Sequence, residues 1–217
     1  YDRRKRTSPT PDEIRLQAYH ALSTRITSLY WFNLSLDALV MWRDTLDEIS
    51  RIGREIRLFD DLLLEGDAYR HARLSRSDGT LDWDIASVCG PRGAVLFALD
   101  LDYYPDPKQR VFVFREPRAA TWRFTLPAYL DTIADVFRVD ADGVYDVTHT
   151  VNNKVVTIKD VRNKVGIYIA AAQPDLRSVI EKRLERLLEE ERALNFDPAH
   201  NDVDFEALRQ LAKGRKR

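Results

Sequence analysis

A single cysteine, Cys89, among 217 residues leaves nothing to form an internal disulfide or a cysteine-rich zinc site. Hydrophobic runs are short. None approaches the roughly 20 consecutive apolar residues that a membrane-spanning helix needs, so a soluble chain without a membrane partner is expected. Neither sign of charge is in excess: 34 Lys and Arg face 35 Asp and Glu, which argues against a general nucleic-acid binder and against steering toward anionic membranes. The four histidines, His20, His71, His149 and His200, are scattered, with no His-x-x-x-His or His-Glu-x-x-His, so no metal site is expected from them. Gly-x-Gly-x-x-Gly, a phosphate loop and Gly-x-Ser-x-Gly are all missing. Nucleotide binding and serine-hydrolase chemistry therefore have no support, and no cofactor is expected. There is no internal repeat and no low-complexity tract. The chain opens on Tyr1 without a charged-then-apolar leader, which leaves three options: a secretion signal is absent, it has been removed, or the chain is a piece of something longer.

What is present suffices for a real core. The apolar fraction is 44% against 32% charged, with nine Phe, nine Tyr and four Trp, which excludes disorder, collagen and coiled-coil fibres as the whole answer. The pattern predicts an α+β chain in three zones: 1–68 helix-strand-helix, 69–172 an antiparallel β-sandwich, and 173–217 C-terminal helices with a basic tail. In the first zone Thr10-Pro11-Asp12-Glu13 is a helix start, with Thr10 as N-cap, Pro11 at the first helical position and Glu13 completing a capping box. Ile14, Ala18, Ala21 and Leu22 give this helix an apolar stripe. The run Ile26 to Asn33, dense in β-branched and aromatic residues, predicts a strand buried on both faces, as in a parallel sheet. Ser35 or Asp37 can cap a long amphipathic helix in which Trp42, Ile49, Ile52, Ile56, Phe59 and Leu63 line one face.

In the second zone, apolar or alternating segments at Leu81–Val88, Gly93–Tyr103, Arg110–Arg115, Thr121–Leu126, Val136–Val139, Val144–Thr150, Val155–Ile158 and Val165–Ala170 predict seven or eight short strands. Turns are expected at Asp78-Gly79, Pro105-Asp106-Pro107, Asp142-Gly143 and Asn152-Asn153. The third zone opens at Pro174-Asp175 into a helix with Leu176, Val179 or Ile180, Leu184, Leu187 and Leu188 on one face. A break at Asn195–Asn201 precedes a last short helix at Asp204–Ala212.

Together, the Thr10–Ala21 helix start, Leu29-Tyr30-Trp31-Phe32-Asn33 and the long helix of Ile49 to Gly66 resemble the last turn of the (β/α)8 barrel in glycoside hydrolases of the β-galactosidase type. In that family the barrel is followed by an accessory β-sandwich, which here corresponds to the zone ending in Gly166–Ala170. The resemblance implies the C-terminal portion of a glycoside hydrolase that contributes barrel closure and a sandwich. The two carboxylates that flank a scissile glycosidic bond come from earlier barrel strands in the family, so no catalytic acid is assigned. It implies carbohydrate and the remainder of the barrel, in the same longer chain or a partner chain, as partners, and a secreted or periplasmic setting. Strand C-termini form the active-site rim of such barrels, so Trp31, Tyr30 and Asn33 become the candidate substrate-binding residues, Trp31 stacking on a sugar ring and Asn33 bonding a hydroxyl. Core packing is the competing role for Trp31 and Tyr30. The alternative function is a stand-alone, non-catalytic β-sandwich that serves interaction or carbohydrate binding.

Weaker signals have plainer readings beside them. Asp82 with Asp84, and Asp100 with Asp102, each project from one face of a strand and could serve Ca²⁺ or acid–base chemistry, or sit solvated on an outer face. Asp140-Ala141-Asp142-Gly143 is expected to be a hairpin turn rather than a calcium loop. Cys89 is expected to be a buried or loop thiol rather than a nucleophile. Tyr103, Tyr104 and Trp122 could form a flat sugar platform or simply pack. The basic ends, Arg3–Arg6 and Lys213–Arg217, are expected to be solubilising tails.

Overall fold

A computed structural model describes residues 9–31 and 43–193. Among these residues two helices, α1 (Pro11–Leu22) and α2 (Arg43–Glu65), precede eleven strands, and α3 (Leu176–Ala193) follows them. Strands β1 (Asp67–Ser75), β2 (Leu81–Gly90), β3 (Gly93–Asp100), β11 (Val165–Ala171), β7 (Asp135–Asp140) and β8 (Gly143–Asp146) form, in that spatial order, a six-stranded sheet. A three-stranded sheet runs β6 (Arg118–Thr125), β10 (Val155–Arg162), β9 (Thr148–Asn152), and β4 (Tyr103–Asp106) pairs with β5 (Val111–Phe114) as a separate hairpin. Every pairing among the described strands is antiparallel. The chain is thus mixed α and β, built on a β-sandwich-like arrangement.

Alternation along the central strands decides where the two cores lie. Val95, Phe97 and Leu99 of β3, with Ile167 and Ile169 of β11, meet the three helices on one face of the large sheet. Ala94, Leu96 and Ala98, with Tyr168 and Ala170, meet Trp122, Phe124, Val156 and Ile158 of the small sheet on the other. Because both faces are covered, β3 is buried at every position and its sequence reads as an uninterrupted apolar run. Trp83 stands edge-on to Trp122 at a centroid distance of 4.8 Å in the middle of the sandwich.

The predicted helix start at Thr10 is met by its chemistry. Thr10 Oγ1 accepts from the Glu13 N–H, and the Glu13 carboxylate accepts from the Thr10 N–H, closing the capping box. In α2 the apolar face turns inward: Ile52, Phe59 and Leu63 are buried, and Ile49 and Ile56 pack against the same core. In α3 the inward residues are Leu176, Ile180, Leu184 and Leu187, so Ile180 rather than Val179 carries the second position. The Asp140–Gly143 segment is a two-residue hairpin turn between β7 and β8, in which the Asp140 carboxylate accepts from the N–H groups of Asp142 and Gly143. The β9–β10 turn falls one residue later than predicted, at Asn153 and Lys154. Both adopt positive φ, as a tight hairpin of right-handed twist demands.

Three expectations need correction. Ile26 to Trp31, the described part of the predicted doubly buried strand, is neither strand nor helix, and none of its backbone groups bonds to another described residue. A strand needs a neighbour to exchange hydrogen bonds with, and the described residues offer none there. Second, β1 had no counterpart in the predicted strands. It is a largely exposed edge strand, with too little apolar alternation to announce itself. Third, the predicted long segments Gly93–Tyr103 and Val144–Thr150 are each divided into two strands, at Asp100/Tyr103 and Asp146/Thr148. Asn33, the caps Ser35 and Asp37, Trp42, the last helix Asp204–Ala212 and both basic ends lie outside the described residues. Among the described residues, no helix is long and apolar enough to cross a membrane.

Candidate functional site

The turn that follows α1 is pinned by one side chain. Arg25, at a left-handed φ of 63°, donates from Nε to the Gly66 carbonyl at 2.5 Å and from Nη2 to the Leu64 carbonyl at 3.3 Å. A guanidinium thus meets the carbonyl end of α2, where the helix dipole favours a cation. This contact lays the following segment, Ile26 to Trp31, alongside α2. Ile26, Leu29 and Trp31 lean onto the helix-side core without being buried by it. Between the segment and the helix runs an apolar groove of about 370 Å³, lined chiefly by Leu22, Ile26, Leu29, Trp31, Ile56 and Leu63. Gly53 faces it with open space where a side chain would stand. Trp31 therefore lines the groove, Tyr30 projects outward at 86% exposure, and Asn33 lies outside the described residues. The structure brings one of the three candidate sugar contacts into the groove.

Three charged clusters, largely unanticipated, organise the rest. Glu55 sits on the apolar face of α2, three residues after Ile52 and four before Phe59, and is 0% exposed. Its carboxylate accepts from Arg15 Nη2 at 2.7 Å, from the Tyr19 hydroxyl, and from the Ala141 N–H at 2.9 Å. It thereby joins α1, α2 and the β7–β8 turn. Burial, reinforced by the adjacent carboxylate, raises Tyr19 well above the ordinary tyrosine value, so its hydroxyl remains a donor. A Glu among the inward positions of an amphipathic helix was the available sequence signal.

Of the two aspartate pairs, Asp82 and Asp84 part company while Asp100 and Asp102 stay together. Asp82, Asp100 and Asp102 come together with Arg76, Arg115 and Arg118: Arg118 holds Asp100 through both nitrogens at 2.7 and 2.9 Å and Asp82 at 2.7 Å, while Arg76 bridges Asp82 and Asp102. The Arg118 guanidinium also lies 4.6 Å from the Trp83 ring centroid. With every carboxylate claimed by arginine, this is a clasp rather than a calcium site. Asp84 turns instead toward the His71 ring, with His20 Nδ1 at 3.5 Å and Arg73 Nε at 3.9 Å. Burial lowers the His20 pKa, outweighing the attraction of Asp84; repulsion from Arg73 and His71 adds to the lowering. The expectation of solvated outer aspartates fails for Asp84 and Asp100, both buried, because helices cover one face of the sheet and arginines reach in over the other. Among the described residues no group of three His, Cys, Asp or Glu is arranged to hold a metal ion.

Cys89 lies in the core between the sheets, where burial pushes its thiol up to about 11, too high for a nucleophile at neutral pH. Trp122 is fully buried, which removes it from any sugar platform; Tyr103 packs on the helix-side core, and Tyr104 alone of that trio is exposed. Comparison with protein-family models, with curated proteins and with solved structures finds no match.

Proposed function

We propose that this chain is the C-terminal portion of a glycoside hydrolase of the β-galactosidase type. On this reading Thr10 to Gly66 closes a (β/α)8 barrel, and the β-rich remainder is its accessory sandwich. The observation that supports the reading is the state of Ile26–Trp31. The segment follows a capped helix and leaves its peptide groups without partners among the described residues, beside an apolar groove of about 370 Å³. Apolar surface left uncovered in water is costly, and peptide groups with no partner among the described residues are open to pairing with a strand. A neighbouring barrel strand, hydrogen-bonding along Ile26–Trp31 and covering Ile56 and Leu64, meets both conditions at once. Trp31 then stands at the C-terminal end of the last strand, where barrels bind substrate, with Tyr30 and Asn33 beside it. The catalytic acid and nucleophile come from strands outside this chain, and this chain's residues orient the sugar.

The test uses the complete gene product that contains this chain, assayed on a panel of nitrophenyl glycosides. Turnover is expected, and Trp31→Ala, in a variant with an unchanged circular dichroism spectrum, lowers kcat/KM by about tenfold, the loss of one ring-stacking contact. Unchanged kinetics in that variant eliminates the sugar contact. Absence of any turnover, with binding to oligosaccharides retained, favours the stand-alone carbohydrate-binding module instead.

A further inference from the structure

A second cleft lies on the opposite side of the large sheet and owes nothing to the barrel reading. The small sheet ends at β6, its edge strand, and the outermost strand of the large sheet, β1, is left largely exposed. The uncovered strip forms a cleft of about 230 Å³ between the β1–β2 hairpin and β6. Its walls are apolar: Ala72 and Leu74 from β1, Ile85 from β2 and Phe124 from β6.

Polar residues line the rest of the cleft: His71 and Thr125, and the three on which its chemistry turns, Ser87, Arg70 and Arg123. On its floor is Ser87, 2% exposed, whose Oγ has no hydrogen-bond partner; the Cys89 thiol is near enough to feel the hydroxyl but is not in hydrogen-bond geometry with it. A buried hydroxyl is ordinarily paired, so an orphan aimed into a cavity is a group waiting for a partner. Cross-strand register places Arg70 directly opposite Ser87 on the same sheet face, and Arg123 borders the cleft from β6. Both arginines are exposed, and neither makes an ion pair with a described residue, whereas the neighbouring Arg73, Arg76 and Arg118 all do. Among the described residues, no carboxylate lines the cleft.

We infer that this cleft binds a small carboxylate with an apolar, ring-sized body, its carboxylate held by Arg70 and Arg123 and its far end hydrogen-bonded by Ser87. Planar guanidinium groups match a carboxylate two bonds at a time, which a point charge cannot do. The aliphatic and aromatic walls exclude a strongly hydrated ligand such as inorganic phosphate. The volume accommodates one ring with a short acidic arm.

The probe is 4-hydroxyphenylacetate, titrated into the full chain and followed by amide chemical shifts in ¹H–¹⁵N spectra, with 4-hydroxyphenylacetamide and inorganic phosphate as controls. The carboxylate is expected to give saturable shifts at β1, β2 and β6, with the amide about tenfold weaker and phosphate producing none there. Arg70→Gln and Arg123→Gln should each weaken binding about fivefold while leaving the spectrum of the free protein intact. Ser87→Ala should weaken it too, without loss of stability, since the hydroxyl has no partner to lose. Equal affinity for acid and amide, shifts with phosphate at the same residues, unchanged affinity in the two arginine variants, or no saturable shift at all would each overturn the inference. All of these readouts are independent of glycoside turnover.

Discussion

Glu55→Ala tests the junction on which the helical layer depends. The carboxylate has three protein donors, and its removal leaves each in a different position. The Ala141 N–H and the Tyr19 hydroxyl lose a buried acceptor, at about 1–3 kcal/mol each. Arg15 is better placed, because its Nη1 still reaches Glu48 at 2.9 Å. The sum falls at about 3–5 kcal/mol, the range for breaking one side of a buried charged network. For a chain of this size that lowers Tm by about 10 °C. Urea unfolding followed by far-ultraviolet circular dichroism, with the m-value checked for constancy, gives the number directly. A double-mutant cycle with Tyr19→Phe sharpens it. In the native background Tyr19→Phe removes one donor from a buried carboxylate and costs about 1–2 kcal/mol; combined with Glu55→Ala it deletes an orphaned hydroxyl and costs nothing or stabilises. A loss below about 1 kcal/mol at constant m-value, or strict additivity in the cycle, would refute the claim that this carboxylate holds the helices to the β7–β8 turn.

Two further perturbations probe the remaining clusters. Arg118→Lys keeps the charge but cannot grip Asp100 with two nitrogens or lie flat on Trp83, so a loss of about 1–3 kcal/mol is expected in urea unfolding. Arg118→Ala strands a fully buried aspartate and should cost about 3–5 kcal/mol, and near-identical stabilities for the two variants would show that the bidentate geometry is irrelevant. His20 titrates below its ordinary value of 6.5 in the folded chain, so as pH falls through 6.5 the unfolded chain takes up this proton first. Its contribution therefore erodes stability as the solution is acidified from neutrality, until the folded histidine also protonates. Thermal melts between about pH 7.5 and about pH 5 should show a shallower decline for His20→Gln than for the parent, and parallel curves would contradict the assignment.

How much of this was legible in the sequence varies by element. The capping box at Thr10–Glu13 needed no tertiary information, because both of its hydrogen bonds are local. The inward faces of α2 and α3 followed from spacing alone, and the short apolar segments between Leu81 and Ala170 marked most of the strands. What local pattern could not supply was pairing. Gly93–Leu99 is a continuous apolar run because helices cover one face and a second sheet the other, yet its neighbours are antiparallel. Burial on both faces is a property of the layers around a strand, and it carries no information about strand direction. Ile26–Trp31 shows another limit: apolar and aromatic density predicts a strand there, but density alone does not provide a hydrogen-bonding neighbour, and the described residues hold none.

The candidate site divides along the same line. Trp31 was identifiable as a residue that something should cover, and among the described residues it borders an open groove. The charged clusters were nearly invisible because each joins residues far apart in the chain, Arg15 with Glu55 or Asp100 with Arg118, and no spacing rule spans such separations. One signal did exist in each case: a charge placed where the pattern called for an apolar residue. Glu55 interrupts the buried stripe of α2, and Asp84 and Asp100 sit in strands whose other central residues are inward. In all three places the exception to the pattern is resolved by arginine, histidine or tyrosine arriving from another element. Ser87 is a fourth buried polar residue, and the one of the four whose side chain makes neither a hydrogen bond nor an ion pair with a described residue. That difference, rather than its burial alone, separates a residue serving the fold from one left available to a ligand.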